Sequence, residues 1–266
     1  MTPIEPRFDH LWRLSDDTGL FEHALGGTPR REHGYCLDDV ARGLVVLCRE
    51  PEQTVTMTER YLAFVVHAQA ADGRFHNRLG YDRRWQDGPG TGDWWGRALW
   101  GLGTAAARSP TAWISDRALL GFQAGSRHRP ESLRSMAFAA MGAAEILSVQ
   151  SDHDAARALL ADAAALVHQP RLDPAWPWPE TRLYYANAVL PEVLIAAGDL
   201  LGDEALLAEG EHLLTWLLRT ETRAGHLSPT PAGGWRAGEP RPAFDQQPIE
   251  AAALADACVR ALDAWG

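Results

Sequence analysis

Phe244-Asp245-Gln246-Gln247-Pro248-Ile249-Glu250 sets a carboxylate, two amides and a second acid just before an alanine-rich helical run, with the indole of Trp235 a short way upstream. Carboxylates and amides hydrogen-bond hydroxyls, and a flat indole covers an apolar ring face, so the combination suits a sugar. Near the other end, His33-Gly34-Tyr35-Cys36-Leu37-Asp38-Asp39-Val40-Ala41-Arg42 puts two carboxylates at the start of an apolar-periodic segment. Capping of free N–H groups and the helix dipole account for one acid there, but not easily for both. Asp38 can pair with Arg42 at i,i+4, while Asp39 projects about 100° further round the helix. If the chain closes on itself, these two acidic entrances would meet in one cleft as general acid and base.

Thr91-Gly92-Asp93-Trp94-Trp95-Gly96-Arg97-Ala98-Leu99-Trp100 repeats the order of acid, aromatics and helix. Tryptophans at helical spacing also build cores, and Asp93 also reads as an N-cap, so Arg97 is the better binding candidate, with Trp94 beside it. Trp176-Pro177-Trp178-Pro179-Glu180 is stiff, because each proline fixes its own backbone and biases its predecessor to extended geometry. Trp178 and Glu180 are therefore held either for stacking a sugar or as a plug in the core. Tyr185 and Asn187 follow at the expected start of the next helix, and His33 and His226 lie beside the motif loops.

Other chemistries lack their residues. The ten histidines form no cluster with metal-ligand spacing, so no metal or other cofactor is expected. No phosphate-binding glycine loop, dinucleotide fingerprint or G-x-S-x-G is present. A formal charge of -10 over 266 residues, with scattered arginines, argues against nucleic acid and anionic membranes as partners. Residues 1–6 lack a basic and apolar leader pattern and no stretch reaches the roughly 20 apolar residues of a membrane span, so a soluble, cytoplasmic protein is expected. Cys36, Cys48 and Cys258 cannot all pair and are expected as reduced, packed thiols.

The elements that must position these groups are helical. Alanine, leucine and arginine dominate, and period-two runs of β-branched residues are nearly absent. Leu37, Val40, Ala41, Leu44, Val45 and Cys48 recur at helical spacing, as do Tyr61, Leu62, Val65 and Val66. Further helices are expected over roughly 94–107, 111–123, 131–148, 152–168, 185–200, 203–219 and 247–264, about nine or ten in all. Related loops (Asp72-Gly73-Arg74-Phe75-His76-Asn77, Pro174-Ala175-Trp176-Pro177-Trp178 and Ala224-Gly225-His226-Leu227-Ser228) fit a repeat of about 50 residues, the length of a helical hairpin. Such hairpins stack to bury their apolar faces, and about five or six of them would close into one α/α toroid domain spanning residues 1–266.

As a set, His33-Gly-Tyr-Cys-Leu-Asp-Asp39, Gly96-Arg-Ala-Leu-Trp100, Trp176-Pro-Trp-Pro-Glu180 and Phe244-Asp-Gln-Gln-Pro-Ile-Glu250 resemble a bacterial family of helical-toroid proteins encoded beside, or fused to, glycosyltransferases and mannoside phosphorylases. The resemblance runs from about Asp9 to the C-terminus. It implies an (α/α)6-type barrel acting on carbohydrate, similar in architecture to toroid glycosidases and sugar epimerases. The chain departs from the family pattern at Asp93-Trp94-Trp95-Gly96-Arg97 and Tyr185-Ala186-Asn187-Ala188-Val189, where an acid and a base are replaced.

The leading expectation is a metal-independent glycoside hydrolase with Asp39 and Asp245 as the carboxylate pair. Glu180 is the alternative acid, and Asp38 orients its neighbour. Tyr35, Arg42, Trp94, Arg97, Trp178, Tyr185, Asn187, Trp235, Gln246, Gln247 and Glu250 are the expected substrate contacts, with His33 and His226. A sugar epimerase using His33, His226 or Glu250 is the first alternative, and a non-catalytic carbohydrate-binding partner of a glycosyltransferase the second. A terpene cyclase is disfavoured, since Asp38-Asp39-Val40-Ala41-Arg42 is not D-D-x-x-D.

Overall fold

A computed structural model describes residues 7–50, 55–169, 173 and 175–265. Residues 1–6 and Pro174, which entered the sequence reading, lie outside them. The described residues form ten α-helices and six two-residue strands, an all-α fold, and the chain divides into two compact units, Met1–Ala156 and Arg157–Gly266.

In the first unit, α1 (Asp9–Arg13) and the hairpin of β1 (Ala24–Leu25) and β2 (Thr28–Pro29) precede the main helices. These are α2 (Leu37–Arg49), α3 (Val55–Ala68), α4 (Asp93–Arg108), α5 (Ala112–Gly125) and α6 (Leu133–Leu147). Helix α4 packs on α2, α5 and α6, and α3 packs on α2 and α5, giving an α2-α4-α6 row backed by α3 and α5. The α4–α6 contact is close because glycine permits it: a Cβ on Gly142 would lie 2.1 Å from the Leu99 carbonyl oxygen. Helix α6 is buried from Arg134 to Leu147, which suits an alanine-rich helix with no polar face. The strands β3 (Tyr35–Cys36) and β4 (Arg78–Leu79) pair antiparallel and tie the entrance of α2 to the long loop before α4. Cys36 and Cys48 are buried free thiols, and burial pushes each up to about 12.

The unit boundary falls inside α7 (Asp154–Val167). The second unit holds the rest of α7, then α8 (Val189–Leu201), α9 (Glu204–Glu221), the hairpin β5 (Thr222–Arg223) and β6 (His226–Leu227), and α10 (Pro248–Trp265). Helix α8 packs on both α9 and α10. Gly202 ends α8 at φ 78°, and Asp203 caps α9 by accepting from the amides of Ala205 (3.0 Å) and Leu206 (3.1 Å). The loop 224–225 turns with both residues at positive φ, the backbone a two-residue hairpin needs.

The helices expected from periodicity are all present. The clearest boundary difference is α8, which begins at Val189 rather than near 185, because Ala186 adopts φ 46° and cannot continue a right-handed helix.

Candidate functional site

The entrance of α2 is capped from outside. Its N-cap residue, Cys36, makes no side-chain cap bond. Asn77 does the work instead: its carbonyl oxygen accepts from the Leu37 amide (2.9 Å), and its side-chain Oδ1 accepts from the Asp38 amide (3.3 Å) and the Cys36 thiol (3.4 Å). Asp87 fixes Asn77 in turn, accepting from the amides of Asn77 (2.7 Å) and Arg78 (3.2 Å), while His76 stacks on Trp85 at 4.9 Å. Neither Asp38 nor Asp39 is thus consumed as an N-cap.

Their partners are guanidinium groups. Arg97, whose side chain is 3% exposed, donates from Nη1 to Asp38 Oδ2 at 3.1 Å, and its guanidinium lies over the Phe138 ring at 4.4 Å. Arg42 reaches back along α2 to donate from Nη2 to Asp39 Oδ1, and that nitrogen is 3.7 Å from Asp38 Oδ2. The i,i+4 pairing of Arg42 with Asp38 expected from spacing is therefore the longer contact. Asp38 Oδ1 is buried with no hydrogen-bond partner among the described residues. Burial pushes the Asp38 carboxyl above the ordinary aspartate range, the charges of Arg97 and Arg42 pull it back, and the neighbouring carboxylates of Asp39 and Asp93 add to the rise.

Asp93 is the first residue of α4 rather than its N-cap. Its Oδ1 accepts from Ser135 Oγ (2.9 Å) and Ser132 Oγ (3.5 Å), joining the first turns of α4 and α6. The entrances of α2, α4 and α6 thus lie together, with Asp38, Asp39, Asp93, Arg42 and Arg97 converging there. Trp94 is half-buried and donates its indole N–H to the Phe75 carbonyl (2.9 Å). His33 is half-exposed, its ring edge-on to His23 at 4.5 Å. Tyr35 departs from its expected role: it is fully buried, stacks on Phe21 and donates to Asp16 Oδ2 at 2.6 Å, so β3 points it into the core.

In the second unit Glu250, in the first turn of α10, is buried. It accepts from the Ala186 amide, the Asn187 amide (3.2 Å) and Asn187 Nδ2 (3.0 Å), while Asn187 Oδ1 accepts from the Tyr184 amide (2.9 Å). Glu250 and Asn187, expected as substrate contacts, hold each other and the left-handed turn into α8. Tyr185 is half-buried beside them.

Trp178 is 2% exposed and stacks on Trp216 at 5.6 Å, so its ring is a core plug rather than an open platform. Trp235 is half-buried; its backbone pairs with Leu183, its indole N–H donates to the Glu239 carbonyl (3.0 Å), and Arg241 covers its ring at 5.1 Å. Glu180 is half-buried, and its carbonyl accepts from the Trp176 indole at 2.7 Å. Asp245, Gln246 and Gln247 are exposed, as is His226; Asp245 sits at φ 66° and Gln246 donates to Ser228 Oγ at 3.1 Å.

One buried acid with its partners was not foreseen. Glu221, at the C-terminal end of α9, is fully buried; its Oε1 accepts from the Thr230 amide (3.0 Å) and hydroxyl (2.5 Å) and is 3.7 Å from Arg241 Nη2. Arg241 also donates to the carbonyls of Thr220 (2.8 Å) and Ser228 (2.6 Å). A lone acid ending an apolar helix carries no sequence signal, since its partners come from a loop whose path the spacing does not fix.

Among the described residues, no group of three or more His, Cys, Asp or Glu side chains is arranged to hold a metal ion, and no helix is long and apolar enough to cross a membrane. No protein-family model matches the chain, and no curated protein matches it.

Proposed function

We propose that the protein is a carbohydrate-processing enzyme, a glycoside hydrolase whose hairpins build an α/α toroid and whose acids sit at the helix entrances. The single observation behind this reading is the contrast between Asp38 and Asp39. The two side chains are equally exposed, 26% and 25%, but Asp38 is raised in pKa and its Oδ1 is buried without a hydrogen-bond partner among the described residues, whereas Asp39 is bound by Arg42. Glycoside hydrolysis needs two carboxyl groups in different environments, one holding a proton for the leaving oxygen and one activating water or attacking. Asp38 is proposed as the acid and Asp39 as the base, with Arg97 and Arg42 orienting them and Trp94 beside the entrance. Asp245 and Glu180, in the second unit, are the alternative carboxylates.

The second reading, a non-catalytic carbohydrate-binding partner of a glycosyltransferase, is favoured by the same guanidinium groups, because an acid held in an ion pair is less free to transfer a proton. Turnover separates the two. The parent is assayed for release of reducing ends from a panel of neutral oligosaccharides; release abolished by Asp39→Asn supports the hydrolase, and binding without release supports the partner.

A further inference from the structure

The outer face of the first unit carries a groove of about 520 Å³ between α3 and the start of α5, separate from the acids at the α2 entrance. Its wall is the indole of Trp113, 53% exposed although it is a large aromatic side chain. Glu59 and Arg60, adjacent on α3, line it half-buried, and neither side chain makes an ion pair or hydrogen bond with another described residue. His67 and Thr56 lie on the same face of α3, and Phe64 forms part of the floor. At the rim Asp17 is already neutralised by Arg83, at 2.9 Å.

Charge selects the ligand class. One unpaired carboxylate beside one unpaired guanidinium, with the other rim acid already paired, gives a surface without a dominant sign. Such a surface favours neither a phosphate nor a cation. It offers acceptors at Glu59, donors at Arg60 and a flat apolar wall at Trp113, the combination that matches alternating hydroxyls and C–H faces. We propose that this groove is a second carbohydrate-binding surface that holds a neutral oligosaccharide, with Trp113 as the stacking platform and Glu59 and Arg60 as hydroxyl partners. The choice of sugar among neutral polar ligands rests on the carbohydrate reading of the α2 entrance.

The test uses the full chain and immobilised neutral gluco-, manno- and galacto-oligosaccharides, with retention measured for the parent, Trp113→Ala, Glu59→Gln and Asp39→Asn. At least one probe should retain the parent, Trp113→Ala should weaken that retention about tenfold, and Glu59→Gln should weaken it less. Asp39→Asn should keep the part of the retention that depends on Trp113. Thermal melting checks that the Trp113 variant is folded, as its exposure leads one to expect; Trp113→Phe, which keeps a ring, should recover part of the retention and serves if the alanine variant melts early. Retention unchanged by Trp113→Ala would overturn the groove whatever Asp39→Asn does, as would a parent retained by no probe. Reducing-end release is read separately, so Trp113-dependent retention without turnover sinks the hydrolase and leaves the groove, while turnover without such retention does the reverse.

Discussion

Asp38 and Asp39 occupy the first turn of α2, and Glu250 occupies the first turn of α10, yet the two entrances are built differently. At α10 the acid meets backbone: a left-handed Ala186 turns its amide, and that of Asn187, toward Glu250. At α2 the acids meet side-chain cations, because Asn77 has already taken the capping bonds. A carboxylate held by several buried N–H groups is fixed in geometry. Asp38, oriented by guanidinium groups, keeps one oxygen without a hydrogen-bond partner among the described residues. The helix position is shared, and the neighbouring segments decide whether the acid is held by backbone amides or by guanidinium groups.

The sharpest way to break this comparison is to remove the carboxylate at each entrance. Asp39→Asn is expected to lower the rate of reducing-end release by about 10²–10⁴ while the protein melts near the parental temperature. A variant that turns over at parental speed would remove Asp39 from the chemistry.

Glu250 should give the opposite outcome. Glu250→Ala strands the amides of Ala186 and Asn187 and the Asn187 side chain in a buried place, at a cost of about 3 kcal/mol or more. Denaturant unfolding should show that loss. If Glu250→Ala were as stable as the parent but inactive, the clamp assignment would fail.

Much of the helical frame was legible, because apolar spacing in alanine-rich segments has few readings; α2, α4 and α9 fall where Leu44, Leu102 and Leu213 demand a buried face. The partnering of acids was legible only in part. Asp38, Asp39 and Arg97 stood out through local spacing, but the Arg97–Asp38 contact joins two helices across the long loop that carries β4, and nothing local encodes it. Trp178 was left open between platform and core plug, and Tyr35 was expected at the site yet is buried, for a related reason: an aromatic residue beside an acid looks alike as platform or as core until the packing above it is known.

Glu221 offers a test of intermediate size through pH. Burial raises its carboxyl above the ordinary value of 4.5, with Glu250 adding to the rise and the Thr230 hydrogen bonds and Arg241 opposing it. The folded state therefore binds the proton more tightly than the unfolded chain. Between 4.5 and the raised value, stability falls as pH increases, by at most about 1.4 kcal/mol per pH unit. Glu221→Gln keeps an acceptor for Thr230 and should flatten the melting profile above pH 4.5. A profile as steep as the parent's would place the titration elsewhere.

The smallest expected effect belongs to Asp245, the exposed acid of the second unit. It sits at φ 66°, where Asn is accommodated as readily as Asp but a Cβ without a polar end is not. Asp245→Asn should change stability by less than about 0.5 kcal/mol, as is usual at exposed positions, and Asp245→Ala should cost about 1 kcal/mol. Melting of the two variants checks this backbone argument by itself. Turnover by Asp245→Asn then bears on the comparison between the units: a rate within a few-fold of the parent leaves proton transfer with Asp38 and Asp39. A fall of about a hundredfold in a protein of parental stability would move the acid role to this loop, and the exposed carboxylate of the second unit would outrank the half-buried one of the first.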